Sequence, residues 1–270
     1  MGGIENALHR LGSLDELARR DTPATRLDPR AKVVVTVAFV AVVVSFGRLD
    51  LARLAPLAAL ALVIVPLGDV PWRPLLFRLA LASPFALGVA AFEPFLDRAP
   101  AIVLGGVAVS RGEVAFLVIF AKFALSLGAA LLLVATTGFD AVCSALGRLG
   151  VPRVMVGQLS LTYRYLFVLG DEAGRMVRAH DLRAPGLRRP AVRTAGTLLG
   201  QLLVRAMARS ERIHAAMLAR GFAGRLPARR PWRLHRADVV FTCLTLSVLV
   251  TFRLVDIPDL VGAALGGALR

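Results

Sequence analysis

Four histidines, His9, His180, His214 and His235, are the first residues to weigh for chemistry, because a neutral imidazole is a common metal ligand. None is paired with a second ligand at metal-binding spacing, so all four are expected at surfaces or interfaces. The two cysteines, Cys143 and Cys243, lie far apart in unlike surroundings. They form neither a metal nor a redox motif and read as apolar packing residues. Within residues 138–236 only Asp171 and Glu172 adjoin among the acids. A membrane enzyme acting on lipid or prenyl phosphates would need clustered acids or histidines to hold its metal. That enzyme is the alternative reading, with basic side chains holding the phosphate. No Walker A loop is present, so the chain cannot supply an ATP site, and HExxH and GxSxG motifs are absent too. The residues therefore predict no catalytic group, no metal site and no cofactor. Lys122 interrupts an apolar run and is a functional candidate by default, with a core or snorkelling lysine as its equal alternative.

The arginines carry more information. Arg175–Ala184 (RMVRAHDLRA) aligns at an offset of 37 with Arg212–Gly221 (RIHAAMLARG). Arg175 matches Arg212, Met176 matches Ile213, Ala179 matches Ala216, and Arg183 matches Arg220. Each segment ends a basic helical stretch just before a break containing Gly or Pro, and each arginine is followed by a small residue, Ala184 or Gly221. The helix dipole alone favours an arginine at a helix C-terminus. A small residue after it would in addition let a second surface approach the backbone. Two similar helix ends, each offering one arginine, suit a partner with two equivalent sites.

The elements that must position these arginines follow from composition. Hydrophobic residues make up 57% of the 270, and the mean hydropathy is +0.68, well beyond an ordinary soluble domain. Apolar runs at Val33–Gly47, Leu54–Leu67, Leu79–Phe92, Val114–Thr137 and Val239–Phe252 predict about five membrane spans. Several are shorter than a full crossing and must borrow flanking residues. Lys32 and Arg48 flank the first and are expected to snorkel. Pro84 is expected to kink the third. A strand-like piece, Ala101–Ser110, falls in the polar loop Glu93–Glu113. The first 30 residues hold no apolar core, so the first span is expected to act as its own insertion signal.

Residues 138–236 differ. They hold 18 of the 33 Lys and Arg and 5 of the 18 acids, so nearly all of the formal +15 charge lies there. The positive-inside rule places this section and the N-terminus in the cytoplasm, with the Glu93–Glu113 loop and the short C-terminus outside. Basic charge here lies beside apolar stripes and not among aromatics, which argues against nucleic acid and for anionic lipid or protein. Helices are predicted over Phe139–Leu149, Val151–Arg183 and roughly Ala191–Arg220, broken at Gly150–Pro152 and Pro185–Pro190. Asp171 and Arg175 are spaced as an i,i+4 pair worth about 0.3 kcal/mol. Arg205, Arg209 and Arg212 share one stripe of the last helix, and Leu199, Leu203, Ala206, Ile213 and Met217 share another. The organisation predicted is an all-α integral membrane protein. It has a cytoplasmic N-terminal segment (1–30), a four-span membrane domain (31–137), cytoplasmic coupling helices (138–236), and a last span with the C-terminus (237–270).

Four stretches then resemble a known family. LDPRAK (Leu27–Lys32), ALGRLGVP (Ala145–Pro152), LTYRYLFVLGDEAGRM (Leu161–Met176) and above all ERIHAAMLARGFAGRLP (Glu211–Pro227) are similar to the transmembrane T component of energy-coupling factor transporters, in its cobalt-transport CbiQ subtype. The resemblance runs from about Asp15 to the last span. It implies a four-part importer in a bacterial or archaeal cell (inner) membrane: two cytoplasmic ABC-type ATPases, a small substrate-binding membrane subunit, and this non-catalytic chain joining them. Two Ala-Arg-Gly segments would dock the ATPases. The second falls on Ala219, Arg220 and Gly221 in full. The first falls on Leu182, Arg183 and Ala184, where only the arginine is retained. Cobalt is favoured by the Glu211–Pro227 segment alone; nickel or a vitamin stays open, because the substrate would be held by the partner. A secondary transporter working alone is a further rival, but it calls for intramembrane acids or matched halves that are not evident.

Overall fold

The computed structural model describes residues 18, 20, 22–67, 71–97, 100–104, 107–183, 192–222, 224 and 235–255. Two compact units are present. One joins Leu17–Gly138 to Trp232–Arg270; the other joins Phe139–Pro231 to Met1–Glu16.

In the first unit a short helix, α1 (Pro23–Arg26), precedes α2 (Pro29–Ser45), α3 (Leu51–Leu67), α4 (Trp72–Ala90) and α5 (Glu93–Leu96). An antiparallel hairpin follows, β1 (Pro100–Leu104) and β2 (Val107–Ser110), with an irregularity between Pro100 and Ile102. It coincides with the strand-like piece of the sequence. The long α6 (Arg111–Thr137) comes next, and α10 (Arg236–Leu254) closes the unit. Helix starts follow from local chemistry. Asp28 caps α2 by accepting the Arg30 N–H at 2.8 Å, ahead of Pro29 at a position where a missing N–H costs nothing. Ser110 and Glu113 form a reciprocal capping box on α6.

Helices α2, α3, α4 and α10 gather around or beside α6, and the core is Phe39, Val43, Phe46, Leu54, Leu57, Val114, Val118 and Leu249. Lipid is as apolar as these side chains, so close packing and small residues decide how such helices associate. The buried residues of α4 are alanines, Ala86 and Ala90. On α6, Gly112 lies against the α5 turn, its N–H donating to Asp97 O at 3.0 Å. A Cβ there would stand 2.6 Å from Pro94 Cα and 2.8 Å from Asp97 O. Outward, the unit exposes Val37, Val44, Leu62, Leu81, Phe85, Val240 and Leu244. Such a surface fits hydrocarbon rather than water. Among the described residues, three stretches are long and apolar enough to cross a bilayer: Trp72–Phe95, Arg111–Thr137 and Arg236–Leu254. Helices α2 and α3 are apolar and 17 residues each. This is an all-α membrane protein with one small hairpin. Helix α4 runs continuously through Pro84.

Two lysines take roles that apolar flanks or a functional span would not predict. Lys122 Nζ donates to Phe46 O at 2.6 Å and to Val44 O at 3.4 Å. It thereby satisfies carbonyls that the C-terminal end of α2 leaves unpaired. Arg253 adds a bond from Nε to Ser45 Oγ at 3.0 Å and lies over the Phe46 ring. Lys32 does not snorkel. It is buried, and its Nζ donates to Thr136 O at 3.0 Å, on the last turn of α6.

Candidate functional site

The second unit holds α7 (Phe139–Arg148), α8 (Arg153–Arg183) and α9 (Val192–Ala219). At 31 and 28 residues, α8 and α9 are each more than about 40 Å long at 1.5 Å per residue. Helix α7 packs on α8 through an aromatic run: Phe139 stacks on Tyr163 at 4.2 Å, and Tyr163 meets Phe167 edge-on at 5.1 Å. Ser160 Oγ donates to Asp140 Oδ1 at 3.2 Å across the same contact. Burial pushes the Cys143 thiol up to about 11, and the nearby Asp140 carboxylate adds to this. An inert packing residue results, as its spacing in the sequence suggests. Gly150, at φ 105°, ends α7 with Val151 N–H donating back to Leu146 O at 3.1 Å.

Helices α8 and α9 are joined by one carboxylate. Glu172 accepts Arg175 Nη2 at 3.0 Å within α8, and Arg205 Nη1 at 3.1 Å and Arg209 Nη2 at 3.4 Å from α9. Hydrogen bonds from Arg175 and Arg205 hold its carboxyl below the usual range. The expected Asp171–Arg175 pair is therefore replaced: Arg175 turns to Glu172, and Asp171 faces solvent. Two of the three stripe arginines of α9 serve this bridge, while Arg212 is exposed. Beside it, the first half of α8 and the second half of α9 enclose an open, mostly apolar groove of about 700 Å³. Val154, Leu161, Tyr165, Met207, Ile213 and Met217 line it, with Arg153, Arg209 and His214 also contributing.

The docking residues expected from the sequence lie at helix tips. Leu182 and Arg183 end α8 and are exposed, Leu182 at 81%. Ala184 lies outside the described residues. Ala219 ends α9, and Arg220 and Gly221 form the turn after it, all three exposed. Gly221 takes φ 77°; its N–H donates to Leu218 O at 2.9 Å, and Phe222 N–H donates to Met217 O at 3.0 Å. This is a Schellman end, which needs glycine for its backbone conformation. The small residue after Arg220 thus has a local cause. A Cβ at Gly221 would still meet nothing within 4 Å, so the tip stands in open space. Neither Arg183 nor Arg220 is held by an ion pair among the described residues. Those residues also contain no group of three or more His, Cys, Asp or Glu able to hold a metal.

Sequence reasoning missed Glu172 as the hub, and it missed Lys32, Asp28 and Asp238 as a buried set. The Asp28–Pro29 dipeptide was a usable signal, since it marks a helix start with Lys32 one turn inside. Nothing local marks Glu172 over Asp171; which acid meets α9 depends on how two long helices pack.

Apolar helices with a lipid-fitting surface, together with a basic helical unit carrying exposed arginine tips, define a multi-pass helical membrane protein. The model of the CbiQ family, "Cobalt transport protein", matches residues 20–232. The chain belongs to that family, and so to a family of membrane transport components. Its sequence is 32% identical over 141 residues to the cobalt transport protein CbiQ of Salmonella typhimurium, covering 46% of this chain and 63% of the relative. It is 33% identical over 95 residues to the cobalt transport protein CbiQ of Rhodobacter capsulatus, covering 35% and 39%. It is 25% identical over 207 residues to an uncharacterised protein of Methanocaldococcus jannaschii, covering 73% and 70%. The chain thus spans less than two thirds of the length of the two cobalt transport relatives.

Proposed function

We propose that this chain is the coupling subunit of an ATP-driven importer of the energy-coupling factor type, serving cobalt uptake. Two cytoplasmic ABC-type ATPases would bind the tips of α8 and α9, and a small membrane subunit would bind the ion. Residues 31–137 and 237–270 would be the membrane domain and residues 138–236 the cytoplasmic coupling section, with the N-terminus cytoplasmic in a bacterial or archaeal cell membrane. The observation that carries this reading is the pair of long helices, each ending in an exposed arginine, in a chain of a cobalt transport family that has no ATP-binding motif of its own.

Leu182, Arg183 and Ala184 would form one docking tip and Ala219, Arg220 and Gly221 the other. Each guanidinium offers five N–H donors to carboxylates or carbonyls in an ATPase groove. Closure of the ATPase dimer on ATP would then drive the two helices, and through them the spans and the substrate-binding subunit. The test is Arg220→Glu in the purified complex. Truncating one partner of a buried charge pair costs about 2–5 kcal/mol, so the charge reversal is expected to strip the ATPases from the membrane subunits. ATPase assembly and cobalt uptake that are unchanged would refute the docking role.

A further inference from the structure

Four polar residues of the membrane unit are buried as a set: Asp28, Lys32, Thr136 and Asp238, all under 8% exposed. They tie three helix ends together. Asp28 caps the start of α2, and its own backbone N–H donates to Asp238 Oδ1 at 2.9 Å. Asp238 lies in the first turn of α10, where its Oδ2 accepts the His235 N–H at 2.8 Å. Lys32 binds the Thr136 carbonyl on the last turn of α6, and both aspartates are close enough to act on its charge. Asp28 Oδ2 is buried and accepts no hydrogen bond among the described residues. A buried charge set is a poor device for stability alone, since well-packed apolar residues of similar volume serve as well or better. Its strength is directional: it holds particular helix ends in one relative position.

The course of the chain shows which ends these are. Thr136 is two residues before Gly138, where the chain leaves the membrane unit for α7. Asp238 follows shortly after the chain has returned. The set therefore lies at the root of the outgoing segment and at the root of the returning one.

We infer that Asp28, Lys32 and Asp238 are positioning residues that lock the roots of α6 and α10 to α2, so that displacement of the α7–α9 unit moves these three helices as one body. This rests on the coupling reading above. Without the Lys32 bridge, a pull on α7 would bend the last turn of α6 instead of moving α2 and α10 with it. Nucleotide hydrolysis would then continue while transport lagged behind.

The experiment compares wild type, Lys32→Met and Lys32→Arg, each in the full complex reconstituted in proteoliposomes, by radiolabelled cobalt taken up per ATP hydrolysed. Lys32→Met is expected to keep its ATPases and to hydrolyse ATP within about twofold of wild type. Its uptake per ATP should fall at least tenfold. Lys32→Arg, which retains a donor, should recover much of the loss. A Lys32→Met complex with the wild-type ratio overturns the inference. If that variant cannot be recovered from membranes, the charge-balanced Lys32→Met/Asp238→Asn variant is read in the same way. Should that be lost as well, the set is a folding element only and the inference is wrong. Failure of the wild-type chain to hold ATPases at all is a different result, and it would sink the coupling reading itself.

Discussion

At the scale of single residues, Glu172 shows how one carboxylate organises a basic surface. Arg175, Arg205 and Arg209 all turn to it, and their hydrogen bonds favour its charged form. Its folded pKa lies below the ordinary 4.5. The contribution is therefore complete above the ordinary carboxylate range and is lost as pH falls through the lowered value. Limited proteolysis between α8 and α9 should accelerate on acidification through that window. Glu172→Gln should show the faster cleavage already at neutral pH, with its remaining pH dependence reduced. Protection that is indifferent to both changes would mean the helices are held by other contacts. Which acid would serve could not be read from composition. Asp171 has the better spacing to Arg175 along one helix, but the arginines of α9 approach the other acid, and that choice belongs to packing across helices.

At the scale of elements, the close approach of α5 to α6 rests on Gly112. Gly112→Ala places a methyl against the backbone near Pro94 and Asp97, and neither can rotate away. Overpacking of this kind costs about 1–3 kcal/mol. A lower midpoint of thermal unfolding in detergent is expected, against no loss for Gly128→Ala on the same helix, where a Cβ meets nothing within 4 Å and alanine is the better helix former. Element positions themselves were largely legible. The break at Gly150–Pro152 and helix α9 fall within a few residues of where pattern and punctuation put them, because glycine, proline and apolar period act locally. Lys32 and Lys122 were not legible in the same way. Whether a lysine snorkels or caps a neighbouring helix depends on which helix end lies beside it.

At the scale of the whole molecule, division of labour is the main feature. The membrane unit carries the apolar surface, and the α7–α9 unit carries most of the positive charge. The sequence shows that division directly, because hydropathy and basic excess change together near residue 138. The groove between α8 and α9 was not legible: its lining residues come from two helices and are ordinary amphipathic positions in each. Mixed charge on long exposed helices also bears on handling. The unit on its own should bind anionic vesicles strongly at low salt and weakly at high salt. Sedimentation with phosphatidylserine vesicles across an ionic-strength series would check this, and salt-independent binding would contradict it.

The hydrogen bond between Asp28 and Asp238 joins residues 210 positions apart. Synthesis at about 5–20 residues per second separates their emergence from the ribosome by roughly 10–40 s. During that interval Lys32 lacks Asp238, one of the two carboxylates that act on its charge in the folded chain. Among the described helices the last to be made, α10, thus completes the buried set at the start of α2.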